Sequence, residues 1–152
     1  MKKRLTILTF CIMFFVVNAY SQSAKKITEI INAENVTYGQ FSYLIANALS
    51  LASENSTDDE ALSILQENKI AKENKSSKDI LTAKEASFVC ANGWNISGSL
   101  MYKLVPSSHY AFKLLKAKKF IPATMESSHK LTGHEALFLV NHLLEVSEGV
   151  EE

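Results

Sequence analysis

Cysteine is scarce in this chain. Of the two present, Cys11 lies in an apolar N-terminal run and Cys90 alone remains beyond it, so no internal disulfide can staple the fold and stability must come from packing. An overall excess of Lys and Arg is also missing, and nothing suggests a nucleic-acid partner. No His-x-x-x-His pair exists; His134 and His142 stand eight apart, and His109 and His129 lie elsewhere, so no metal site and no cofactor is expected. A glycine-framed nucleophile elbow and a phosphate loop are likewise absent, and the expectation is a protein that is not an enzyme.

Long hydrophobic runs are limited to one. Lys2, Lys3 and Arg4 precede an uncharged stretch from Leu5 to Val17, followed by small and polar residues. This pattern predicts a secretory signal peptide over residues 1–21, with Ala19 and Ser21 at the recognition positions and cleavage after Ser21. The alternative is an uncleaved N-terminal anchor. Phe10 before Cys11 removes the small residue that lipidation needs. Without the three leader cations, thirteen cations face sixteen acids, a net charge of about −3. About 130 residues remain, enough for one core and too few for two. They are expected to form one domain over 22–148, followed by a disordered acidic tail over 149–152, in a chain exported to the periplasm or cell surface.

What is present is repetition. "VTYGQFSYLIAN" (Val36 to Asn47), "LTAKEASFVCAN" (Leu81 to Asn92) and "LTGHEALFLVNH" (Leu131 to His142) each join an apolar residue, a Thr and, three residues on, a Glu or Gln. That is a capping box, in which Thr37, Thr82 and Thr132 accept from the N–H three residues ahead while Gln40, Glu85 and Glu135 reach back. The preceding Val36, Leu81 and Leu131 can close on Phe41, Ala86 and Ala136 as hydrophobic staples. Apolar residues then recur at helical spacing: Phe41, Leu44, Ile45 and Ala48; Ala86, Val89 and Cys90; Ala136, Leu139, Val140 and Leu143. Cys90 occupies the slot of Ile45 and Val140 and reads as a small buried hydrophobe.

The segments from Ala61 and from Ala111 align without a gap at an offset of fifty, pairing Leu65 with Leu115, Lys69 with Lys119 and Ser77 with Ser127. Each unit is a short helix, a polar loop of about ten residues, a capping box and a second helix; the first copy has a shorter approach, through Ile27, Ile30 and Ile31. Ser56 or Thr57, and Ser107 or Ser108, are ready N-caps, and Gly93 and Gly98 end or break the second capped helix. Extended pieces are confined to Lys103–Val105 or Phe120–Ile121. The fold class is all-α, three pseudo-repeated helix-loop-helix units in one helical domain.

The unit from His109 to Leu144, with its "-IP-" step, polar loop and hydrophobic-T-x-x-E helix start, resembles the S-layer homology repeat; Ala61 to Trp94 looks like a second example, and about Ile27 to Ser50 a third. The resemblance implies a compact pseudo-threefold domain that is not catalytic and tethers exported proteins to cell-wall polysaccharide or peptidoglycan. In that family the motif reads T-R-A-E and its Arg reaches an anionic glycan. Here that position holds Tyr38, Ala83 and Gly133, and the family's Gly before the apolar step is replaced by Lys69 and Lys119.

For recognition the candidates are Trp94, Tyr38, Tyr102 and Tyr110, whose rings can stack on a sugar face, and Lys118 and Lys119, which can meet a carboxylate or phosphate. Trp94 also aligns with Leu49 and Leu144, which favours a core role. Two functions follow: an envelope module that binds cell-wall glycan between repeats, or a periplasmic adaptor or assembly factor that binds a protein partner, which the missing arginines favour.

Overall fold

Thr37 and Gln40 exchange hydrogen bonds at 3.2 and 3.0 Å, and this exchange opens a helix where the sequence places one. A computed structural model describes residues 24–148; the expected leader and acidic tail lie outside them. Among the described residues there are seven helices and no strand: α1 (24–31), α2 (Tyr38–Ala48), α3 (Asp58–Glu67), α4 (Ala83–Gly93), α5 (Leu100–Leu104), α6 (Ser108–Ala117) and α7 (Gly133–Glu148). The fold is mostly helical and closes on one hydrophobic core.

Glu135 accepts the Thr132 N–H at 2.9 Å, and its own N–H donates to the Thr132 hydroxyl at 3.3 Å. At Thr82 the Glu85 carboxylate takes both the Thr82 N–H (3.1 Å) and its hydroxyl (2.6 Å), and the Glu85 N–H turns to the Thr82 carbonyl (2.9 Å). A fourth box, Thr57 with Glu60, opens α3. These contacts satisfy N–H groups that a helix leaves without internal partners.

The segments leading into α2, α4 and α7 meet at the centre. The Val36 N–H donates to the Leu131 carbonyl (2.8 Å), the Leu131 N–H to the Leu81 carbonyl (3.3 Å), and the Leu81 N–H to the Val36 carbonyl (2.9 Å). The three bonds close a cycle. All three residues are buried, so the cycle pairs backbone groups that water cannot reach. One step outward, the N–H groups of Tyr38, Ala83 and Gly133 donate to the carbonyls of Asp79, His129 and Ala33 at 2.7 to 2.9 Å. Isolated bridges between Thr37 and Ile80 and between Thr82 and Lys130 mark the same crossing points.

Around this hub, α2 packs on α3 and α7, and α4 packs on α6. Phe41, Ile45, Val89, Cys90 and Ala136 are fully buried. Burial pushes the Cys90 thiol far above its ordinary value, so it stays a neutral filler.

The helix ends depart from the glycine pattern. α2, α3, α4 and α6 all finish in Schellman turns whose left-handed residues are Ser50, Lys69, Asn95 and Lys119, with φ between 46° and 65°. Gly93 is merely the last helical residue of α4, and Gly98 (φ 121°) lies further along the connector. The extended piece expected at Lys103–Val105 is instead helical through Leu104, because Ser99 accepts the Tyr102 N–H and caps α5. Phe120 and Ile121 form a bend after α6, the Phe120 N–H closing its Schellman turn.

Candidate functional site

α3 and α4 end side by side, and their terminal turns leave polar side chains at the rim while Ile70 and Ile96 fold back toward the core. Asn92, in the last turn of α4, ties this corner together. Its amide nitrogen donates to the Ile70 carbonyl (3.2 Å), and its oxygen accepts the Tyr102 hydroxyl (2.6 Å). Tyr102 thereby pins α5 across the ends of α3 and α4.

Beneath α5 is a cleft of about 740 Å³. Its polar lining is Asn68, Lys69, Asn92, Asn95, Ser97, Ser99, Tyr102 and Lys103; Ile70, Leu100 and Pro106 contribute apolar wall. Burial pushes the Tyr102 phenol up to about 12, so the hydroxyl remains a neutral donor across the physiological range. Two ammonium groups and no carboxylate face the space. Amides, hydroxyls, one aromatic ring and two cations suit a polyhydroxylated or anionic ligand.

Of the six residues proposed for recognition, the cleft gathers Tyr102, with Lys118 beside it: a Cβ at Gly98 would lie 3.3 Å from the Lys118 Cε. Tyr38 is fully buried and its ring belongs to the core, so the expected contact with a surface ligand is corrected; burial raises the pKa of its phenol well above the ordinary value. Trp94 caps the C-terminus of α4, half-buried against the core and outside the cleft. Tyr110 stands edge-on to His109 in the first turn of α6 (centroids 5.4 Å apart), and Lys119 is exposed in its left-handed turn. Sequence reasoning missed Asn92, Asn95, Lys69 and Lys103, because neutral amides and single lysines carry no diagnostic spacing. The cluster "NGWNISGS" before a short apolar segment was the available signal.

The capping carboxylates are engaged elsewhere. Burial works against ionisation of Glu85, but hydrogen bonds from Lys75 and Thr82 outweigh it and hold the carboxyl below its ordinary 4.5. Glu135 is likewise lowered: burial opposes its charge, and bonds from Thr132 and His129 prevail. His142 stacks on Phe138 and meets Phe120 edge-on, with centroids 5.9 and 5.3 Å away. Among the described residues no three His, Cys, Asp or Glu side chains come together as a metal site, and no helix is long and apolar enough to cross a membrane.

Further hollows lie among the described residues, two of them against α7. One of about 290 Å³, almost wholly apolar, lies among Phe120, Pro122, Met125 and Phe138. The other, of about 650 Å³, separates α2 from α7 near Tyr43, Asn47 and Asn141. Comparison with protein-family models, with curated proteins and with solved structures returned no match for this chain.

Proposed function

We propose that this is an exported, non-catalytic module that attaches to cell-wall glycan or peptidoglycan-associated material through the cleft under α5. Three related units, divergent S-layer homology repeats, build it. The cyclic bonding of Val36, Leu81 and Leu131 supports that arrangement, since equivalent positions meet equivalent positions. The cleft carries the functional reading. Its amides and hydroxyls match the alternating donors and acceptors of a sugar, Tyr102 offers a ring edge, and Lys69 and Lys103 supply the cations that Tyr38, Ala83 and Gly133 do not.

Retention on purified cell-wall sacculi tests the reading. The protein should pellet with protein-free sacculi, be released by glycan digestion, and lose retention when Lys69 and Lys103 are both replaced by Ala. Pelleting that is indifferent to those changes rules the cleft out. The apolar hollow beside Phe138, whose ring is exposed, favours a second reading as an adaptor for a protein partner. That reading predicts co-purification of one polypeptide from solubilised envelope, lost on Phe138→Ser.

A further inference from the structure

All sixteen acidic residues of the chain lie outside residues 86–125. That interval carries five lysines, Lys103, Lys113, Lys116, Lys118 and Lys119, and among the described residues none of them makes a salt bridge. Into the same interval fall the two most exposed large apolar side chains among the described residues. Leu100 and Leu104 are 80% and 75% exposed, and Met101 and Val105 are more than half exposed. Four of the eight large exposed hydrophobics among the described residues thus occupy six consecutive positions.

Their outward direction is enforced. Tyr102 turns inward to Asn92 at 2.6 Å and Ser99 caps the helix, so α5 cannot roll to bury its apolar side. We infer that α5 is the seat of a peripheral contact with an anionic lipid bilayer. Aliphatic side chains this exposed stand clear of the surface, and Lys103 on α5 itself, with Lys118 beside Gly98 just ahead of it, carries positive charge that complements phosphate headgroups. A protein partner would more commonly be met by aromatic anchors in a recessed patch, whereas Leu, Met and Val side chains this exposed suit acyl chains. Leu100 and Lys103 also line the cleft, but Met101, Leu104 and Val105 do not, so substitutions at those three test the contact separately from what the cleft binds.

The test uses the protein exported and purified from producing cells, sedimented with vesicles of phosphatidylglycerol and phosphatidylethanolamine or of phosphatidylcholine alone. Binding should require the anionic lipid and weaken as salt rises. Amide exchange should slow across residues 100–105 when anionic vesicles are added, which places the contact at α5 and not at the N-terminal apolar run. The triple variant Met101→Ser/Leu104→Ser/Val105→Ser should partition at least about tenfold less while keeping its helical circular dichroism and its retention on sacculi. Undiminished partitioning of that variant overturns the inference. So does equal binding to both vesicle types, or protection of α5 in a protein dimer without lipid, which would assign the face to a second copy of the chain.

Discussion

Gly133 opens α7 directly under α1, and a methyl group there has nowhere to go. A Cβ built on it would lie 1.8 Å from the Ile30 carbonyl oxygen and 2.5 Å from that of Ile31, both backbone atoms. Restoring a contact of 3.0 Å requires a shift of about 1.2 Å between α1 and α7. Such a shift breaks the bond from the Gly133 N–H to the Ala33 carbonyl, worth about 1 kcal/mol. It also lifts Ile30, now 1% exposed, out of the core; losing half of its burial costs a further ~1 to 1.5 kcal/mol. Ala in place of Gly favours the helix by up to ~1 kcal/mol, less at this first position than in the interior. Gly133→Ala should therefore lower stability by about 2 kcal/mol, a fall in melting temperature of roughly 6 to 8 °C. Urea titration followed by circular dichroism measures it, with Gly93→Ala as the control. At Gly93 the same change meets the Leu49 methyl at 3.1 Å and the Ile45 and Ile70 methyls at an ordinary 3.7 Å, all side-chain atoms, and should be neutral or stabilising by ~0.5 kcal/mol. Stability of Gly133→Ala within ~0.5 kcal/mol of the parent would refute the close approach of α1 and α7.

Lys69→Gly with Lys119→Gly should raise stability by about 1 kcal/mol, because each left-handed backbone (φ 59° and 65°) relaxes by more than the unfolded chain gains in freedom; denaturant midpoints decide it. Glu85 and Glu135 ionise more readily folded than unfolded, so their stabilisation is complete above pH 4.5 and is lost as pH falls through their lowered folded values. Melting temperature should hold steady down to that point and then drop, and Glu85→Gln should flatten the drop while lowering the plateau. Asn92→Ala removes the bonds to the Ile70 carbonyl and to Tyr102, and should cost about 1 to 2 kcal/mol and speed amide exchange across α5, read by mass spectrometry.

The helices were legible because their signals are local. Thr37, Thr82 and Thr132 each announce a cap within four residues, and Phe41, Ile45, Val89 and Val140 give the buried side by period alone. Thr57 with Glu60 obeys the same rule and opens α3. Less was legible at helix ends, where Lys69 and Lys119 adopt a backbone that sequence rules assign to Gly; the Schellman bonds and the folding-in of Ile70 and Phe120 override that preference. α5 was hidden because five residues give too little periodicity, and its one strong cue, the Ser99 cap, is a single hydroxyl. The cleft was the least legible part. Tyr102 could be singled out as an aromatic in a glycine-rich stretch, but its partner Asn92 becomes meaningful only when α3, α4 and α5 converge. Tyr38 misled because its position, next to a cap, faces inward toward the neighbouring loop at Asp79.

The cyclic bonding at the hub also has a kinetic side. Val36 waits for the carbonyl of Leu131, ninety-five positions later, and Leu81 cannot complete the circuit with Val36 alone. A chain emerging from its N-terminus therefore keeps its middle unlatched until just before the last helix appears, and a product shortened ahead of Leu131 would leave the Val36 N–H and the Leu81 carbonyl without their partners.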